Sequence, residues 1–358
     1  MLPSGSCLCR EGAAETPAMA RRVPDEPEEG LLERGKALVD SIGPGDVADL
    51  DAGARRTLLA SNRWRHGSAN VVGTAIGFRR KGGEWTDEPA LVVFVRKKKD
   101  GTELGRDERV PRSLTVAGRR IATDVVELGR VRLDAALAGS QVVAEKPAGA
   151  PGTAAGILRD AEGNAFILSA AHVLGEFRKG PDRAWIVPGA PVFLRGAPEI
   201  IGRVADRAIP DFSNSYIAQN LDAAIARLDQ GKAAGFLDPP VYRGPARAGL
   251  GDRVALSVPG DPVFRPVVYL DAAVRYEYLD GVRKRPQSVT LYAPSLAEYD
   301  SIPGDSGAMV YREGDLAAVG MHLAAQEIRE GGARRWLAVF QPIEPVLARW
   351  PSMRLLHS

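Results

Sequence analysis

A chain of 358 residues carrying 47 basic and 45 acidic side chains has a formal net charge of +2. That balance gives no electrostatic reason to expect nucleic acid or an anionic membrane as a partner. No run of about 18 apolar residues occurs, which excludes a helical membrane span, and 45% hydrophobic residues with 39 glycines and 26 prolines favour short strands and turns around a substantial core.

At roughly 100–200 residues per domain, two or three folding units are expected. Both cysteines, Cys7 and Cys9, lie at the very start of the chain. The body therefore cannot be stapled by disulfides, and a reducing, cytoplasmic location is the expectation. The absence of a continuous apolar signal core points the same way. Residues 1–26 are poor in large apolar side chains and read as a disordered tail. Leu31, Leu32, Leu38, Val39 and Ile42 recur at helical spacing, with Glu28 and Glu29 in the first turn, and predict a helix over 27–42. Gly43-Pro44-Gly45 breaks it, and a second helix is predicted over 52–61. This helical segment, 27–62, is assigned to packing or oligomer contact.

A small α+β unit is expected over 69–135, with strands at 71–78, 90–95 and 121–128 and a turn through Gly82-Gly83. The basic run from Arg96 to Lys99 reads as a solvated strand end. The glycine-rich stretch Ala148-Gly149-Ala150-Pro151-Gly152 reads as a hinge into a strand-rich region, 150–350. Short strands are predicted at 153–158, 165–169, 191–194, 200–205 and 223–228. After a Gly/Pro-rich connection they resume at 253–258, 267–278, 288–292, 308–311, 317–322 and 336–340. The two series suit paired antiparallel β-barrels at about 150–232 and 246–342, closed by a helix over 343–350. The fold class expected is mainly β, a double barrel preceded by the small α+β unit.

The chemistry concentrates in two stretches. Gly304-Asp305-Ser306-Gly307 places a serine hydroxyl on a tight turn, where the N–H groups of Gly304 and Ser306 can serve a developing oxyanion. A serine is a poor nucleophile without a base in reach. Of the four histidines, His172 alone ends an apolar run, Phe166-Ile167-Leu168-Ser169-Ala170-Ala171-His172. A third group must orient the imidazole. Asp222, which opens Ala223-Ala224-Ile225-Ala226 and competes with Asp206, Asp211 and Asp229, is the candidate.

These motifs, in the order His172, Asp222, Ser306, resemble the trypsin-like (chymotrypsin-fold) serine peptidases. The wider pattern, Pro151-Gly152-Thr153, Glu162-Gly163-Asn164 and Leu168-Ser169 before His172, looks like a cysteine-free bacterial branch related to the plant narrow-leaf protease. The resemblance implies a chymotrypsin-like double barrel and a serine endopeptidase acting on protein or peptide substrates. It implies no metal or organic cofactor, no nucleic acid and no membrane, and a possible regulatory partner bound through the N-terminal domain. By the same resemblance, Asp300 and Ser301 stand where a basic P1 residue is received, whereas Val319-Gly320-Met321-His322 resembles the strand that receives P1 Glu or Gln. One pocket does not easily serve both charges; basic P1 is the preferred expectation, and pairing of Asp300 with His322 the alternative. The resemblance further implies either a partner cation for Asp305 or a different mode of activation. The rival reading of the whole chain is a silent or latent peptide-binding or signalling module of the same fold.

Overall fold

In the computed structural model, the described residues are 70–105, 109–116, 119–133, 141–144, 152–174, 188–194, 199–209, 220–230, 242–258, 261–279, 286–290, 294–330 and 333–356. The predicted tail, the helices at 27–42 and 52–61, both cysteines and His66 lie outside them. The fold is mainly β, as expected, with two short helices among the described residues, α1 (Ala171–Leu174) and α2 (Ile343–Ala348). No helix among them is long and apolar enough to cross a membrane.

Eight strands form the first sheet: β5 (Gln141–Ala144), β6 (Gly152–Thr153), β7 (Gly156–Arg159), β8 (Ala165–Ser169), β9 (Pro191–Leu194), β10 (Ile200–Ala208), β11 (Ala223–Leu228) and β19 (Arg354–Leu355). The segment from β6 through β7 pairs with β5 at its start and with β8 at its end. One bent stretch of chain thereby brings the sheet round on itself. The centre of this sheet is buried on both sides, which suits its residues: β11 is small and apolar at Ala223, Ala224 and Ala226, and only Arg227 is exposed. Strands of this kind lack polar–apolar alternation because neither face meets water.

The second sheet has eleven strands. In chain order these are β1 (Val71–Lys81), β2 (Glu84–Val95), β3 (Ser113–Val116), β4 (Arg119–Leu133), β12 (Arg253–Leu256), β13 (Arg265–Leu279), β14 (Pro286–Thr290), β15 (Ser295–Ala297), β16 (Met309–Arg312), β17 (Ala318–Glu330) and β18 (Ala333–Pro342). Pairing of β12 with β13 closes β12-β16-β17-β18-β15-β13 into a ring. A second ring of seven, β13-β1-β2-β4-β17-β18-β15, closes through β4 and β17. The two rings share β13, β15, β17 and β18.

The strands of the 69–135 unit are therefore continuous with the second sheet. Gly73 pairs with Val274 and Gly77 with Tyr269 on one side; Ala324 pairs with Leu133 and Ile328 with Leu128 on the other. Among its described residues this unit shows strands and no helix. Tyr269 is fully buried at the seam, edge-on to Trp85 and Phe94 with centroids 5.3 and 5.2 Å away. A Cβ at position 77 would lie 2.2 Å from the Tyr269 ring, so the facing strand carries glycine there.

Strand extents differ from expectation where this seam supplies a partner. The hairpin β17–β18 continues to Glu330 and Ala333, well past the predicted end at His322. Gln326, Glu327 and Arg329 interrupt its apolar pattern, but β4 pairs with Gln326 and Arg329, with an irregularity at Glu327, and supplies a second partner strand. The sequence reading also lacks β3, β5, β15 and β19, each of two to four residues. Such lengths carry too little pattern to register.

Candidate active site

His172 stands where β8 leaves the buried sheet. Val173 and Leu174 donate back to the Ala170 carbonyl (3.1 Å each), turning the chain into α1. Burial of Ala171, Val173 and Leu174 fixes this turn, so that His172 is the residue left at its edge. Its Nδ1 lies 2.7 Å from Asp222 Oδ2, and its backbone N–H donates to Asp222 Oδ1 at 3.0 Å. One carboxylate thus holds both the main chain and the ring. With Nδ1–H donating to the carboxylate, Nε2 of the neutral ring carries the lone pair. That nitrogen is buried and has no hydrogen-bond partner among the described residues. Of the four candidate aspartates Asp222 is the one seen to contact His172, and Asp211 lies outside the described residues.

Ser306 lies in the loop between β15 and β16, on the second sheet. Backbone bonds from Asp305 N to Ile302 O (3.1 Å) and from Ala308 N to Asp305 O (2.9 Å) wind the loop tightly, and Asp305 Oδ2 accepts the Ile302 N–H at 2.9 Å. Burial, and then the nearby Asp305 carboxylate, push the Tyr299 phenol upward. His322 braces the loop through its main chain, accepting from Gly307 N and donating to Ala308 O, both at 2.8 Å. The first sheet grips it from the other side: Thr153 N donates to Ser306 O at 2.7 Å and Thr153 Oγ1 to Gly304 O at 2.6 Å. Gly307 has φ +90°, and a Cβ there would lie 2.2 Å from Ser169 Oγ. Only glycine fits that close approach.

The loop and the turn that carries His172 meet over Gly152. A Cβ on this residue would touch both the Val173 side chain at 2.3 Å and the Ser306 carbonyl at 2.7 Å. The Ser306 hydroxyl itself is fully buried and donates to the Leu323 carbonyl at 2.7 Å. The amides of Gly304 and Ser306 donate to no acceptor among the described residues, so both N–H groups are uncommitted. Asp300 is exposed, whereas Ser301 and His322 are fully buried.

The structure thus brings His172, Asp222 and the Ser306 loop together across the two sheets. Three contributors went unforeseen: Thr153, Leu323 and Gln341. Gln341 had a visible signal, a lone amide ending the apolar run Trp336-Leu337-Ala338-Val339-Phe340. Leu323 acts through its backbone carbonyl, which residue identity does not betray, and Thr153 through its N–H and its hydroxyl.

The class so defined is a mainly β protein with a histidine–carboxylate pair beside a glycine-flanked serine, set between two sheets. A family described as the NARROW LEAF 1 N-terminal domain matches residues 59–126, a stretch that includes β1, β2, β3 and half of β4. No curated protein matches. Among solved structures, a Nocardiopsis protease is 16% identical, covers 61% of this chain and 97% of its own, and has a TM-score of 0.38. A Cellulomonas bogoriensis chymotrypsin gives 16% identity, 62% and 98% coverage and the same TM-score of 0.38. The Rv3671c protease of M. tuberculosis in its active form gives 12%, 86% and 89%, with a TM-score of 0.32. The overlays are loose, and the assignments below rest on this chain's own residues.

Proposed function

We propose that this chain is a serine endopeptidase in which Ser306 is the nucleophile, His172 the base and Asp222 the residue that orients His172. The observation that carries the reading is the doubly bonded His172–Asp222 pair, whose Nε2 is buried and uncommitted, on a turn that meets the Ser306 loop over Gly152. Rotation of the Ser306 side chain away from Leu323 delivers its proton to Nε2. The Ser306 oxygen then attacks the peptide carbonyl, and the imidazolium formed is stabilised by Asp222. The amides of Gly304 and Ser306 receive the oxyanion. His172 returns the proton to the leaving amine, and water, activated the same way, releases the acyl group from Ser306.

The first test is labelling with a fluorophosphonate probe. The full chain takes up the probe, and both Ser306→Ala and His172→Ala lose it; undiminished labelling of either variant refutes the triad. Fluorogenic peptides varied only at P1 test the expectation of Lys or Arg at that position. The Ser306–Leu323 bond favours a second reading, a latent form in which the hydroxyl rests away from its base. In that case the isolated protein labels slowly, and engagement of its N-terminal strands by a partner accelerates labelling.

A further inference from the structure

We propose that Gln341 is a positioning residue that sets the orienting acid against His172; the inference rests on the roles given above to His172 and Asp222. Asp222 immediately precedes β11, so its N–H and its carbonyl lie just before the ladder that begins at Ala223. The residue is fully buried, and both groups need partners. Gln341 supplies both. Its Oε1 accepts the Asp222 N–H at 3.0 Å and its Nε2 donates to the Asp222 carbonyl at 2.7 Å. The side-chain amide thus takes the place of a neighbouring strand's peptide group.

The origin of that amide matters. Gln341 is the penultimate residue of β18 in the second sheet, is fully buried, and pairs in register with Met321 on β17. The next residue of β17, His322, holds the Ser306 loop through Gly307 and Ala308, and the one after it, Leu323, accepts the Ser306 hydroxyl. One hairpin therefore references both ends of the triad. Nucleophile spacing is set through the main chain of His322, and acid spacing through the side chain of Gln341. Without the second tie, Asp222 belongs to the first sheet alone, and its distance to the Ser306 loop is left to the general fit of the two sheets.

The test compares Gln341→Met, which keeps length and removes both bonds, with Gln341→Glu, which keeps an acceptor for the Asp222 N–H. Val339→Ala, a cavity elsewhere on β18, is the control for ordinary destabilisation. Three quantities are read on the full chain: thermal midpoint, fluorophosphonate labelling rate, and the downfield proton resonance of His172 Nδ1. Gln341→Met is expected to lose or broaden the Nδ1 resonance and to label at least ~10-fold more slowly, with Gln341→Glu in between. Val339→Ala is expected to lower the midpoint and leave the other two readings in place. Gln341→Met behaving like Val339→Ala overturns the proposal. Should Gln341→Met fail to fold, Gln341→Glu is compared with Val339→Ala in its place, and matching behaviour overturns the proposal in the same way. A wild-type chain that shows the resonance but never labels defeats the peptidase reading, and the resonance in the variants then decides Gln341 alone. A wild-type chain without the resonance overturns both.

Discussion

Asp222 has more asked of it than any other residue: it is fully buried, bonded to His172 twice and held by Gln341 through its own peptide groups. Asp222→Asn keeps the size but presents an amide where His172 Nδ1–H needs an acceptor, favouring the wrong tautomer. Losses on the order of 10⁴ follow such a change in the Ser-His-Asp template, and a comparable fall in labelling rate with little change in melting is expected here. Gly307→Ala acts differently. With φ at +90° and Ser169 Oγ in the path of a Cβ, it displaces the nucleophile loop and is expected to lower both melting temperature and labelling. A third residue speaks to pH. Asp315 is held below the ordinary carboxylate range chiefly by its hydrogen bond to Arg312, which also contacts Asp252. A depressed folded value means that the contribution is present above the unfolded value near 3.9 and is lost as pH falls through the folded one. Asp315→Asn should therefore flatten the acid limb of a melting-temperature profile below about pH 4, modestly because the carboxylate is half exposed.

At the scale of elements, the long strand β13 belongs to both rings of the second sheet, and Tyr269 is its anchor against Trp85 and Phe94. Tyr269→Ala empties that contact and is expected to cost about 3–5 kcal/mol in a denaturant titration, as other buried aromatic truncations do. The hairpin β17–β18 shows why strand limits were the least legible feature of the sequence. Its inner half reads as strand from Val319, Leu323, Leu337 and Val339 alone. Its outer half carries Gln326, Glu327 and Arg329, and is strand with β18 on one side and β4 on the other.

For the whole molecule, the unexpected feature is that the N-terminal strands and the second barrel share one sheet. Removing residues before 150 would strip β1 from β13 and β4 from β17, and expose backbone edges as well as the apolar face around Tyr269. A chain so shortened is expected to be insoluble or aggregated when expressed, as size-exclusion chromatography would show. Recovery of a monomeric, probe-reactive fragment would instead mean that the strands form a detachable cover.

What the sequence determined by itself was local: the strand-rich class, the glycine turn around Ser306, the histidine at a strand end and the acid opening β11. Each of these is written in adjacent residues, because turn chemistry and apolar runs act over a few positions. The tertiary structure decided what depends on partners far along the chain. It chose the depth of Asp300 and His322, the tie from Gln341 to Asp222 across 119 positions, and the fusion of β1 and β4 with the second sheet. Strand pairing and a buried side-chain amide take their meaning from the group opposite, and in this chain that group is supplied by another sheet or another part of the sequence.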